Sequence, residues 1–160
     1  MASGDHRAEA AHIDGSGVAV GIISARWNSD IVDRLVEGAR RGLHDLGVTQ
    51  IVHETVPGAF ELPFAAKVLA QSGSVDALVV VGAVIRGETT HYELVAGECG
   101  RGIMDVQLGT GVPIGMGVLT VENTAQAEKR SEGPGGHNVG EEAAQVAVEL
   151  ALFSGKLAEM

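Results

Sequence analysis

Residues 77–85, ALVVVGAVI, run for nine positions without a polar side chain. A half-exposed strand alternates apolar and polar residues, so a run with no polar face suits a strand covered on both sides. It is far shorter than the roughly 20 apolar residues of a membrane helix. A strand of this kind belongs in a parallel sheet with helices packed on each face. Three further segments read as strands: VAVGIIS (18–24), QIVHETV (50–56) and VPIGMGVLT (112–120).

The segments between them read as helices. Ile31, Val32, Leu35, Val36, Ala39, Leu43 and Leu46 recur at helical spacing, with Ser29 or Asp30 placed to cap the start and Gly47 to close the end. Residues 62–71 form a second helix that carries Pro63 in its first turn. A third covers about 90–108, with Val95, Cys99, Ile103 and Val106 as its inner stripe. Gly97, Gly100 and Gly102 weaken that helix and suit a close helix contact. A short helix follows at 125–130, then a glycine-rich loop at 131–140. A last helix at 141–156 turns Ala144, Val148, Ala151 and Leu152 inward. The polar start, residues 1–16, is expected to be a flexible N-terminal arm ahead of a single domain at 17–160.

The formal net charge of −10 argues against nucleic acid or an anionic membrane as a partner, since both select clustered Lys and Arg. An anionic ligand would need local positive charge or helix amides. Cys99 stands alone, so no intrachain disulfide forms. No two of the six histidines lie three or four apart, so no metal site is expected. The opening MASGDHRAEAAHIDGSG lacks the apolar run of a secretory signal, and a cytoplasmic location is expected.

In open parallel sheets ligands bind beyond the carboxyl ends of the strands. There the chain places Trp27 and Asn28 after the first strand, then Ala59, Phe60 and Glu61 after the second. Arg86 to His91 follow the third strand, and Thr120 to Asn123 the fourth. With aromatics at 3% of the chain, the sole Trp and one of three Phe beside an acid and a histidine suggest a pocket for a flat polar ring. Each residue also has a plainer reading. Trp27 could anchor the first helix, Glu61 could favour a helix start through its dipole, and Arg130 could complement a helix end. RGETTH (86–91) could be a capped helix start, or a turn whose amides and hydroxyls hold phosphate. Neither a Walker loop nor a GxGxxG fingerprint is present. His91 could move protons near neutral pH.

The ordered set ARWN (25–28), VPGAFELPFAAK (56–67), VIRGETTHYE (84–93), VPIGMGVLT with QAEKR (126–130), and HNVGEEAAQVAVELA (137–151) closely resembles the lumazine synthase family. The resemblance covers nearly all of the chain after residue 17. It implies a three-layer flavodoxin-like α/β sandwich, a four-stranded parallel sheet flanked by helices. The implied transferase reaction condenses 5-amino-6-(D-ribitylamino)uracil with 3,4-dihydroxy-2-butanone 4-phosphate to 6,7-dimethyl-8-ribityllumazine, the penultimate step of riboflavin biosynthesis, without metal or organic cofactor. Trp27, Asn28, Ala59, Phe60, Glu61, Ala83, Val84, Ile85 and Met116 would hold the ribitylaminouracil. Gly87, Glu88, Thr89 and Arg130 would hold the butanone phosphate, and His91 would transfer protons. Met116 and Arg130 would come from a neighbouring subunit. The implied assembly is a pentamer, or twelve pentamers in an icosahedral 60-mer, with riboflavin synthase as a candidate protein partner.

Two positions depart from the family pattern. Met116 stands where many members carry an aromatic, so thioether packing must replace stacking. Val139 stands where many bacterial members carry lysine, as in fungal members, and weaker affinity for the phosphate substrate is expected. The main alternative is a non-catalytic lumazine- or flavin-binding protein on the same fold, which would have no use for His91 and Arg130. A small flavodoxin-like module would run as a 16.4 kDa monomer. A different phosphosugar enzyme would leave the paired aromatics and Glu61 unexplained.

Overall fold

The computed structural model describes residues 12–160. Four strands and five helices alternate along them: β1 (Ala19–Ala25), α1 (Ser29–Asp45), β2 (Gln50–Val56), α2 (Leu62–Gln71), β3 (Ala77–Ile85), α3 (His91–Thr110), β4 (Ile114–Val121), α4 (Thr124–Lys129) and α5 (Val139–Ala158). A single 3-10 turn, Ala59–Glu61, leads into α2. The sheet order is β2-β1-β3-β4, with every pair parallel. This is the three-layer α/β sandwich that the resemblance implies.

The apolar run drives the layering. Ala77 to Val84 are all buried, and successive side chains enter opposite cores. Val79, Val81 and Ala83 pack with Ile22, Leu35, Leu43 and Val148 in a core between the sheet and α1 and α5. Leu78, Val80 and Val84 pack with Leu62, Ala66, Cys99 and Ile103 in a second core beneath α2 and α3. Burying one such aliphatic side chain contributes about 1.5–3 kcal/mol, which is why the middle strand carries no polar residue.

Helix spacing follows from small residues. A Cβ on Gly140 would meet the Leu35 carbonyl oxygen at 2.0 Å, so α1 and α5 approach only because this position has none. Of the three α3 glycines expected to suit a close contact, Gly102 meets the expectation, with Pro63 of α2 within 2.8 Å of where its Cβ would stand. Gly97 faces open space.

Boundaries differ from expectation where polar groups intervene. β1 begins at Ala19, because Val18 N–H donates to Gly15 C=O in a turn (3.0 Å). α1 is capped neither by Ser29 nor by Asp30: its N-cap is Asn28, in the left-handed region (φ 59°), and no side chain bonds the cap. α5 begins two residues early because the Asn138 side chain accepts the Glu141 N–H (3.1 Å). Its inner stripe runs through Ala143, Ala144, Ala147 and Val148, while Ala151 and Leu152 are half-buried against the same core. Of the expected arm at 1–16, residues 1–11 lie outside the described residues. Ile13 packs on the α1/α5 core, and Gly15 N–H donates to Leu46 C=O (2.7 Å).

Candidate active site

β1 has β2 on one side and β3 on the other, so chain direction across the sheet reverses between β1 and β3. A crevice opens at the carboxyl ends of strands at such a switch point. A cavity of about 570 Å³ lies there, within the usual range for small-molecule sites.

Backbone bonds beyond the strands build its first wall. Arg26 N–H donates to Val56 C=O (2.9 Å), and Trp27 N–H donates to Pro57 C=O (3.2 Å). The loop after β1 is thus zipped onto the loop after β2, which brings Trp27 beside Gly58, Ala59, Phe60 and Glu61. Asn28 then turns the chain into α1, and its Nδ2 donates to Ala83 C=O across the switch point (2.9 Å). Its left-handed backbone (φ 59°) is one that Asn adopts more readily than most residues, and the bond to Ala83 anchors it there. Trp27 is 72% exposed and Phe60 56% exposed, so neither aromatic is a core anchor. Glu61 forms the N-cap of α2 without a side-chain cap bond and lines the cavity instead. The plainer reading of Trp27 as a packing anchor therefore fails, whereas Glu61 does stand at the start of α2, where a carboxylate suits the helix dipole, and lines the cavity as well.

The second wall comes from β3 and α3. Ala83, Val84 and Ile85 end the buried strand, and His91 opens α3 with Leu94 and Val95 one turn on. The turn Gly87–Glu88–Thr89 is exposed and joins two lining residues, Ile85 and His91, without itself lining the cavity. Thr89 Oγ1 accepts the His91 N–H at 3.3 Å. Thr90 is the N-cap, yet its side chain makes no cap bond.

Met116 and Arg130 stand apart from this cavity. Met116 pairs with Val80 in mid-strand and faces α3 near Gly100. Arg130 ends α4, with its guanidinium donating to Gln126 C=O (3.0 Å). The lining therefore holds an acid and a histidine but no Lys or Arg. Gly58 and Leu94 were not singled out from the sequence. Leu94 falls outside the inner stripe expected for α3, and Gly58 gave no signal beyond its place in PGAFELP.

Other reactive groups are accounted for. Burial pushes the Cys99 thiol up to about 11, so it is an inert core residue. Among the described residues no group of three His, Cys, Asp or Glu could hold a metal ion, and no helix is long and apolar enough to cross a membrane.

A parallel sheet with an aromatic-walled cavity at its switch point, its side chains polar mainly at an acid, an amide and a histidine, defines an α/β protein with a crevice of the shape and polarity that suit a flat polar small molecule. The family model described as 6,7-dimethyl-8-ribityllumazine synthase matches residues 17–154. A relative of that name from Kineococcus radiotolerans is 50% identical over 129 residues, spanning 81% of this chain and 79% of the relative. One from Xanthomonas euvesicatoria is 50% identical over 131 residues, 81% and 84% of the two chains. One from Cupriavidus metallidurans is 45% identical over 151 residues, 92% and 85%. The chain belongs to the 6,7-dimethyl-8-ribityllumazine synthase family.

Proposed function

We propose that this chain, a single domain over residues 17–160, condenses 5-amino-6-(D-ribitylamino)uracil with 3,4-dihydroxy-2-butanone 4-phosphate. The observation that carries this reading is the convergence of Trp27, Phe60, Glu61 and His91 on one cavity in a chain of this family. The pyrimidine ring lies against Trp27 and the backbone of Ala83, Val84 and Ile85, with Asn28, Ala59 and Phe60 around it. Glu61 accepts hydrogen bonds from ribityl hydroxyls. The phosphate sits on the Gly87–Thr89 turn, where Glu88 offers its N–H while its carboxylate faces water.

The chemistry follows from this placement. The pyrimidine amine adds to the ketone and loses water to give an imine. His91 then takes and returns protons as the phosphate is eliminated, the ring closes and a final water leaves. No metal or organic cofactor is called for. Holding two substrates in register supplies much of the rate, since oriented reactants avoid the entropy of encounter.

The lining lacks a cation for the phosphate. We assign that role to Arg130 of a neighbouring copy, with Met116 of the same copy covering the ring. The active assembly is then a pentamer, alone or as an icosahedral 60-mer, in the cytoplasm, with riboflavin synthase as the candidate consumer of its product. Val139 begins α5 half-buried against the core, so it adds no charge near the phosphate. Butanone phosphate should bind more weakly here than in a lysine-bearing relative.

The test is a turnover assay with both substrates, following lumazine optically and subtracting the spontaneous reaction. Catalysis should fall about 10²–10⁴-fold in His91→Ala, the scale of one acid–base group. A folded oligomer that binds the pyrimidine but shows no rate above background would instead be a binding protein.

A further inference from the structure

Residues 90–93, Thr-His-Tyr-Glu, have the sequence of a capping box, in which the first side chain caps the helix and the glutamate reaches back to the first residue's amide. α3 does not use it. Thr90 makes no side-chain cap bond, and the neighbouring hydroxyl, Thr89 Oγ1, accepts the His91 N–H at a long 3.3 Å. The Glu93 carboxylate is turned instead to Arg86, which donates to it through Nη1. The Arg86 Nε donates to Glu122 just beyond β4 (2.7 Å), and its guanidinium lies over the Tyr92 ring, 4.3 Å from the centroid. Tyr92 in turn packs on the α2/α3 core. One side chain thus joins the end of β3, the end of β4 and the first turn of α3.

We infer that Arg86 is a positioning residue that sets where His91 stands against the cavity. It lies next to the proposed phosphate turn, but its Nε and Nη1 donate to carboxylates and its flat face lies on Tyr92. These contacts compete with any role as the phosphate cation. With the helix start weakly capped, the strap is what fixes the first turn of α3. A local rule broken without local gain is a mark of a functional site. The inference rests on reading His91 as the proton-transfer residue.

The test is a double-mutant cycle. Arg86→Gln should lower kcat about 10–100-fold, the cost of a small misplacement, and leave the pyrimidine KM within about twofold. In the His91→Ala background the same change should cost almost nothing more, because Arg86 acts through His91. Glu93→Gln with Glu122→Gln should reproduce much of the loss with Arg86 intact. Amide exchange in the 86–94 segment, read by mass spectrometry, should quicken in both variants whether or not the protein turns over. The inference is overturned by unchanged kcat and exchange in Arg86→Gln, or by an equal loss in both backgrounds. It is also overturned if the Glu93/Glu122 variant binds butanone phosphate more tightly, since Arg86 would then be a phosphate ligand. Wild-type protein without turnover would instead sink the reading of the site, and the exchange result would still decide on the strap.

Discussion

Gly58 shows how one missing atom shapes the site. Its backbone is extended (φ −151°, ψ −177°), a conformation open to any residue, so the chain path does not demand glycine. Trp27 does: a Cβ at this position would stand 3.0 Å from its Cδ1 and 3.6 Å from its Nε1. In Gly58→Ala the indole must give by a few tenths of an ångström, away from the plane that faces the cavity. A stacked aromatic pair contributes about 0.5–1.5 kcal/mol, so pyrimidine KM should rise roughly two- to tenfold while thermal stability barely changes. Trp27 is the sole tryptophan, so its fluorescence reports the same site. Quenching by the pyrimidine should weaken in step with KM. An unchanged KM and full quenching would mean that the ring does not lie on Trp27.

The joint between β1, β2 and α1 carries a pH dependence. Arg40 of α1 approaches His53 Nδ1 at 3.2 Å, and Ser24 Oγ of β1 lies 2.8 Å from Nε2. Arginine can only donate, so Nδ1 accepts and Nε2 carries the proton toward Ser24. Burial first, then the charge of Arg40, holds the His53 pKa below its ordinary 6.5. The folded state therefore resists a proton that the unfolded chain takes up. Stability from this joint is complete above about pH 6.5 and is lost as pH falls from there toward the folded pKa. The thermal midpoint should drop between about pH 8 and pH 5, and less so in His53→Gln. Equal drops in the two proteins would remove His53 from the account. The same joint shows what a sequence reveals at this scale. β3 was legible because every position but the last is buried, and β2 ends where Pro57 stops it. The start of α1 was not: Ser29 and Asp30 are good caps by type, and only the zipper of Arg26 and Trp27 onto Pro57 sets the turn at Asn28. Trp27, Phe60, Glu61 and His91 were legible as a group because each follows a strand in a parallel sheet. Arg86 was not, because its role depends on where Glu93 points and not on its spacing from it.

At the scale of the whole molecule, the α2/α3 face is too apolar to be left in water. Phe64 and Leu108 are each 75% exposed, and Val68, Leu94 and Met104 are exposed beside them. Apolar patches of this kind mark interaction surfaces. The second copy proposed above would cover this face and also answer the missing cation, since Arg130 stands outside its own chain's cavity. This sharing predicts complementation. His91→Ala spoils a subunit's own pocket, and Arg130→Ala spoils the pocket it serves next door. Each variant alone forms uniform assemblies in which every site is damaged. When equal amounts assemble at random, about a quarter of the interfaces pair an intact His91 pocket with an intact Arg130. Co-expressed protein should therefore recover roughly a quarter of wild-type activity, well above either parent. If instead Arg130 reached its own subunit's cavity, every chain in the mixture would carry one lesion in its own site, and no recovery would follow. Mixing the two variants after assembly should give no recovery until the oligomers exchange subunits, which separates true sharing from leakage of a contaminating activity.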